Sequence, residues 1–256
     1  MLRIRVVFLT LVFLLVLGLM TRPLEAPAWK HIQSDRPELN LAGMEGALGQ
    51  GIIVGMLGGF RSIMADFLWL QTYAVWEDRE RAKLDSMVRL VTSIDPRPEF
   101  FWINAARMIA YDVPHWRIQE EGGHQAVPES RQETIDREQA EQAFALLRRG
   151  LEFHPDSPRL YLEIGQIHMI RLDDPAEAAP WFRRASEQAD APHFAARVYA
   201  ELLRRQGKNA EAYEFLKGLF RRLPDDDPYA RKGIILERIR ELEARLEVSR
   251  SETFEP

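Results

Sequence analysis

The stretch Ala143-Phe144-Ala145-Leu146-Leu147-Arg148-Arg149-Gly150-Leu151-Glu152-Phe153-His154-Pro155 carries a spacing that returns twice further along the chain. Ala143, Leu147, Gly150 and Pro155 stand at offsets 0, 4, 7 and 12. Ala178, Phe182, Ala185 and Asp190 repeat those offsets 35 residues later, and Ala212, Leu216, Leu219 and Pro224 repeat them after another 34. Offsets 0, 4 and 7 lie on one face of a helix. Small residues on that face let a second helix approach closely. The proline has no N–H to continue the helix and helps to end it. A period of about 34 residues marks a solenoid of helical hairpins.

The residues between these helices resemble the first helix of the tetratricopeptide repeat family. That family places an aromatic residue, a small residue four later and a bulky one three beyond. Tyr161, Gly165 and His168 fit, and Ala196, Ala200 and Leu203 follow the same register. Gly207 sits where the family turns between its two helices. Upstream, Pro96 ends a second helix, and Trp102, Ala106 and Ile109 take up the register again. Trp102 lies 59 residues before Tyr161, one period plus an insertion of 25. The block from Gly58 to Trp69 is similar to the start of the repeats in some bacterial envelope proteins. The resemblance implies an all-α fold, a right-handed superhelix of hairpins whose first helices line a groove for a partner protein or peptide. By that register the first hairpin offers Asp66, Trp69, Tyr73 and Trp76, and the second Phe100, Asn104, Arg107 and Tyr111. The third offers Leu162, Gln166 and Ile170, and the fourth Phe194, Arg197, Glu201 and Arg204. The family's lysine–asparagine clamp for a terminal carboxylate is not reproduced.

Composition narrows the function. The chain has 256 residues, 46% of them hydrophobic, enough for a substantial core. Its 34 basic and 39 acidic residues are well mixed and leave a net charge of −5, so the surface offers no broad attraction to nucleic acid. The absence of cysteine excludes disulfides, thiolate zinc sites, a cysteine nucleophile and a lipid-modified cysteine anchor. There is no serine–histidine–aspartate signature and no phosphate loop.

At the N-terminus, Arg3 and Arg5 precede an apolar run from Val6 to Met20. Fifteen residues of helix reach about 22 Å against about 30 Å of hydrocarbon. Leu2, Ile4 and Thr21, with the arginines snorkelling, extend it to a short anchor. Residues 1–21 are therefore expected to hold the protein in the inner membrane as a single pass, with the repeats facing the periplasm. A cleaved signal peptide, cut at Ala26-Pro27-Ala28 before Trp29, is the alternative. Residues 22–42, with Pro23, Pro27 and Pro37, read as a linker. Residues 43–60 carry Gly43, Ala47, Gly51, Gly55 and Gly59 four apart. Such a ladder predicts tight packing onto the first repeat, with a membrane-associated or self-associating helix as the alternative.

The repeats are expected over 61–224, with an insertion at 112–137 that reads as a polar loop. His115, Glu120, Glu121 and His124 there have the donor atoms of a zinc site but not the spacing of a helical one. Arg204-Arg205 and Arg221-Arg222 read as a solvated face interleaved with acids. Residues 225–250 are expected to form a capping helix begun by Asp225-Asp226-Asp227-Pro228, followed by a tail. The expected function is a non-enzymatic scaffold of the bacterial envelope that needs no cofactor or metal. The alternatives are an enzyme with a metal site in the insertion and a soluble exported ligand-binding protein.

Overall fold

The computed structural model describes residues 59–256, which belong to the second of two units into which the chain divides between Leu48 and Gly49. The apolar run, the linker and the ladder positions Gly43, Ala47, Gly51 and Gly55 lie outside the described residues. The described chain is all-α: α1 (Arg61–Glu77), α2 (Arg81–Ile94), α3 (Glu99–Arg107), α4 (Val113–Glu120), α5 (Glu129–Phe153), α6 (Pro158–Gln166), α7 (Pro175–Ser186), α8 (Phe194–Arg205), α9 (Asn209–Arg222) and α10 (Lys232–Arg245). Met108–Asp112 joins α3 to α4 and Ile167–Arg171 extends α6, each as a single π turn. Packing follows the chain: α1 on α2, α2 on α3, α3 and α4 on α5, α5 on α6, and so on to α10. Beyond this sequence, α3 also packs against α6. Among the described residues no helix is long and apolar enough to cross a membrane.

The repeated spacing falls on α5, α7 and α9, and its positions are buried: Ala143, Leu147 and Gly150, then Ala178, Phe182 and Ala185, then Ala212, Leu216 and Leu219. Small residues there receive large ones from the neighbouring helix. A Cβ on Gly150 would stand 3.0 Å from the Trp102 ring, and one on Gly165 2.9 Å from the Phe182 ring. Trp102, Phe144 and Phe182 are almost wholly enclosed, and each such side chain stabilises the fold by about 1.5–3 kcal/mol.

Proline and aromatic are joined by a hydrogen bond that repeats with the array. Trp102 Nε1 donates to the Pro96 carbonyl at 2.8 Å, and the Tyr161 hydroxyl donates to the Pro155 carbonyl at 2.7 Å. Each acceptor lies six residues before its donor. The carbonyl of the proline just past one helix end is thus satisfied by the aromatic that opens the next hairpin. Starts are fixed by side chains. Ser157 accepts from Leu160 N–H, Asp174 accepts from Ala176 and Glu177 N–H, and a proline follows each cap, where its missing N–H costs nothing.

The insertion is not a loop. The first helix continues through the π turn into α4, and α5 begins at Glu129 rather than near Glu138, so only residues 121–128 form a turn. Pro114 has no N–H to offer Ala110, but it stands in the first turn of α4, and just ahead of it Val113 N–H reaches back five residues to the Met108 carbonyl. The extended hairpin has its own small core of Ile118, Val127 and Ile135.

Two corrections apply at the C-terminus. Asp225–Pro228 does not start the capping helix. The Asp227 carboxylate accepts from Tyr229 N–H and its carbonyl accepts from Ala230 N–H, which makes a turn, and α10 begins only after Arg231, which has φ 50°. Residues 251–256 are not a free tail. Phe254 is buried against Phe220, and its N–H donates to Glu243 Oε1 at 2.5 Å.

Candidate partner-binding surface

The first two hairpins are clasped where α2 ends. The Asp95 carboxylate, buried, accepts from Ser62 Oγ at 2.8 Å and from the Arg97 guanidinium on both oxygens at 2.7 and 2.9 Å. Burial pushes its pKa up, but the Arg97 and Ser62 hydrogen bonds outweigh that and hold it below the usual aspartate value. Arg61 Nε donates to the Ile94 carbonyl at 2.8 Å. These bonds place α1 beside α3 and so assemble an aromatic cluster.

Trp69 lies at the centre of that cluster, with its ring centroid 5.6 Å from Tyr73, 5.7 Å from Phe100 and 5.3 Å from Phe101. It is buried, so it supports the surface from beneath instead of offering a face to a partner. Its Nε1 is enclosed without a hydrogen-bond partner. Tyr73 and Phe100 are the exposed members, at 37% and 51%. Trp76 is half-buried, donates through Nε1 to Asp112 at 2.9 Å and meets Trp116 at 6.4 Å. Asp66 is exposed on α1. The Asn104 amide bonds the Phe100 carbonyl of its own helix at 2.8 Å.

Beside this ledge the two π turns touch. They lie 59 residues apart, the same offset as Trp102 and Tyr161. Glu163, buried on α6, accepts from Arg107 Nε at 3.0 Å and Nη2 at 2.7 Å. Arg107 itself stays half in solvent. Glu163 Oε1 is enclosed without a partner. Arg171 reaches Asp136 on α5. Tyr111 stands among these charges. Burial first, and then the Glu163 charge, push its pKa up to about 12, so its hydroxyl keeps its proton and remains a donor. The Glu163 hydrogen bond likewise raises the pKa of Arg107.

Tyr73, Trp76, Phe100, Asn104, Arg107 and Tyr111 are therefore brought together on α1, α3 and the first π turn. The remaining register positions go elsewhere. Leu162 is core, and its neighbour Glu163 does the contacting. Gln166 is half-buried at the end of α6. Arg197 on α8 donates to the Tyr229 and Ala230 carbonyls at 3.3 and 3.2 Å, locking the turn before α10. Glu201 pairs with Arg204 at 2.6 Å and Arg205 at 3.4 Å on its own helix. Glu163, Asp112 and Trp116 were not read as site residues. The available signal for Glu163 was a lone acid two positions after the aromatic of an apolar helix.

In the extended hairpin, His124 Nδ1 donates to Gln132 Oε1 at 2.8 Å, because the Gln132 amide nitrogen is already spent on two carbonyls. His124 Nε2 then meets His115 Nδ1 at 3.2 Å. Glu120 pairs with Arg81 and Glu121 with Arg131. Among the described residues no group of three or more metal-ligating side chains comes together.

No family model, no curated protein and no solved structure matches the chain.

Proposed function

We propose that this is a non-enzymatic scaffold of the bacterial cell envelope whose tetratricopeptide-like array, wound as a right-handed superhelix, holds a partner protein or peptide against α1 and α3. The observation that carries the reading is the exposed aromatic ledge of Tyr73 and Phe100, seated on buried Trp69 and flanked by Trp76, Arg107 and Tyr111. Aromatic area on a rigid base, next to arginine and tyrosine donors, is the composition of interface hot spots. The apolar run at residues 6–20 supplies the attachment that keeps the array in the inner membrane and facing the periplasm.

The test is co-purification from membrane extracts, then titration of the recovered partner. Tyr73→Ala with Phe100→Ala is expected to weaken binding by about 2 kcal/mol or more. Glu152→Ala, on the exposed side of α5, leaves it unchanged. Equal effects of the two would move the binding surface off the ledge.

A further inference from the structure

Where α8 meets the turn before α10, a cleft of 670 Å³ gathers cations that no acid balances. Pro192, Phe194, Arg197, Tyr229, Arg231 and Ile234 are on its walls. Elsewhere in the array arginines pair with buried carboxylates, as Arg97 does with Asp95 and Arg107 with Glu163. Arg197 has no such partner. Its Nη1 donates to the Tyr229 and Ala230 carbonyls, and its Nε and Nη2 donate to no group among the described residues. The exposed Arg231 side chain makes no hydrogen bond or ion pair among them either. Asp227 is the acid in the lining, and both of its oxygens are taken. Oδ2 accepts from His193 Nε2 at 2.9 Å, and Oδ1 accepts from Tyr229 N–H at 2.8 Å. Burial first, and then the Arg231 charge, lower the pKa of Arg197, and no carboxylate offsets them. On a chain of net charge −5, this is a local concentration of positive charge.

We propose that this cleft binds a small organic acid, with its carboxylate between Arg197 and Arg231 and its apolar body against Phe194, Tyr229 and Ile234. The free Nε and Nη2 of Arg197 form the edge of a guanidinium that matches the two oxygens of a carboxylate. Arg231 supplies the second charge. Phe194, Tyr229 and Ile234 are 39%, 79% and 45% exposed, apolar area that an aryl or alkyl group would cover. A few convergent polar groups set in apolar walls, in a space of this size, make a small-molecule site. The lining comes from two short stretches, 191–197 and 227–234, and does not run on along the array, which favours a compact ligand over an extended segment. A bound carboxylate also relieves the repulsion between the two arginines. The cleft is distinct from the Tyr73–Phe100 ledge, so this inference stands apart from the partner-binding reading.

The probe is phenylacetate, titrated into the full-length protein and followed by ligand-observed NMR. Binding with a Kd of about 1 mM or tighter is expected for a ligand of this size. Arg231→Gln removes no bond of the fold and is expected to weaken binding about tenfold or more, as loss of a charged hydrogen bond does. Arg245→Gln, which removes the same charge from an exposed position at the other end of α10, should change it less than about twofold. Equal effects of the two would reduce the attraction to net charge and overturn the site. Benzyl alcohol, which keeps the ring and lacks the charge, is expected to bind the unmutated protein about tenfold more weakly or less. This comparison stands even if the variants fail to fold, and equal binding of alcohol and acid refutes the role of the arginines. Tighter binding of phenyl phosphate than of phenylacetate would overturn the choice of a carboxylate. Tighter binding of the peptide acetyl-Phe-Glu-Phe-amide would assign the cleft to an acidic protein segment and overturn the small-acid reading. No binding of phenylacetate at about ten times the expected Kd refutes the proposal outright.

Discussion

At the scale of single residues, glycines in helices make opposite predictions according to what stands over them. Replacing a helical glycine by alanine favours the helix by about 1 kcal/mol. Gly218 lies inside α9 with nothing within 4 Å of where its Cβ would be, so Gly218→Ala is expected to raise stability by about 0.5–1 kcal/mol. Gly165 faces the Phe182 ring at 2.9 Å, and that ring is enclosed. Gly165→Ala is expected to cost about 1–3 kcal/mol by overpacking, despite the same propensity gain. Denaturant midpoints of the two variants check the contrast, and a stabilised Gly165→Ala would show that the helices separate freely. Arg107 is a second case. Its partner Glu163 is buried, so Arg107→Glu sets two carboxylates together and leaves one without a counter-charge. Losing the partner of a buried charge costs about 3–5 kcal/mol, and the half-exposed Arg107 places this case toward about 2–3 kcal/mol. The same substitution would read as loss of binding in a pull-down, although its first effect is on stability. Circular dichroism melts of Arg107→Glu, with Glu163→Gln added to relieve the repulsion, separate the two effects. No recovery in the double variant would remove Glu163 from the account.

At the scale of elements, Glu243 shows how a short segment is tied down. Its carboxylate accepts from the Tyr213 hydroxyl at 3.1 Å, Phe254 N–H at 2.5 Å and Arg240 at 2.7 Å, which binds α9, α10 and the final residues together. Burial raises its pKa, but the bonds from Arg240, Phe254 and Tyr213 outweigh burial and leave it below the usual 4.5. A carboxyl lowered on folding stabilises the protein fully above its unfolded value, and that contribution is lost as pH falls through the lowered folded value. Asp95 acts in the same direction at the other end of the array. Stability is therefore expected to fall on acidification below the ordinary carboxylate range. Glu243→Gln should cost about 1–3 kcal/mol at neutral pH and flatten part of the acid slope. Urea midpoints against pH check this, and an unchanged slope would exclude Glu243 as a contributor. Nothing near Phe254 in the sequence marks it as core, because its partners Phe220 and Glu243 are eleven or more residues away. By contrast α5, α7 and α9 were legible, because small and large residues at offsets 0, 4 and 7 must face inward whatever the neighbours are. The Asp112–Arg137 stretch looks like a loop in sequence because Pro114, Gly122, Gly123 and Pro128 are residues that commonly break helices. Two of them open helices: Pro114 stands at the start of α4, and Pro128 caps α5. In the candidate site the aromatics were legible from register. The buried charge on Glu163 was not, because its partner lies 56 residues away.

At the scale of the whole molecule, the core is partitioned along the array. Leu203, Tyr213, Leu216, Ile235, Ile239 and Phe254 belong to one cluster around α8, α9 and α10. Leu162, Phe182, Ala195 and Leu202 belong to another around α6, α7 and α8. Ile118, Val127 and Ile135 close the far end of the extended hairpin by themselves. Where each repeat meets only its neighbours, stability is nearly a sum of local terms, and damage stays near its source. α5 is the exception, because it packs against α3, α4, α6 and both π turns. Hydrogen exchange should therefore be slowest over α3 and α5 to α7 and faster toward α10. Ile239→Ala, in the last cluster, is expected to cost about 2–5 kcal/mol and to raise exchange in α8, α9 and α10 first. Ile135→Ala should loosen only α4 and the first half of α5. The profile along the chain is the decisive readout. If Ile239→Ala accelerates exchange equally in α5 and in α9, the array unfolds as one unit, and the local account of its stability is wrong.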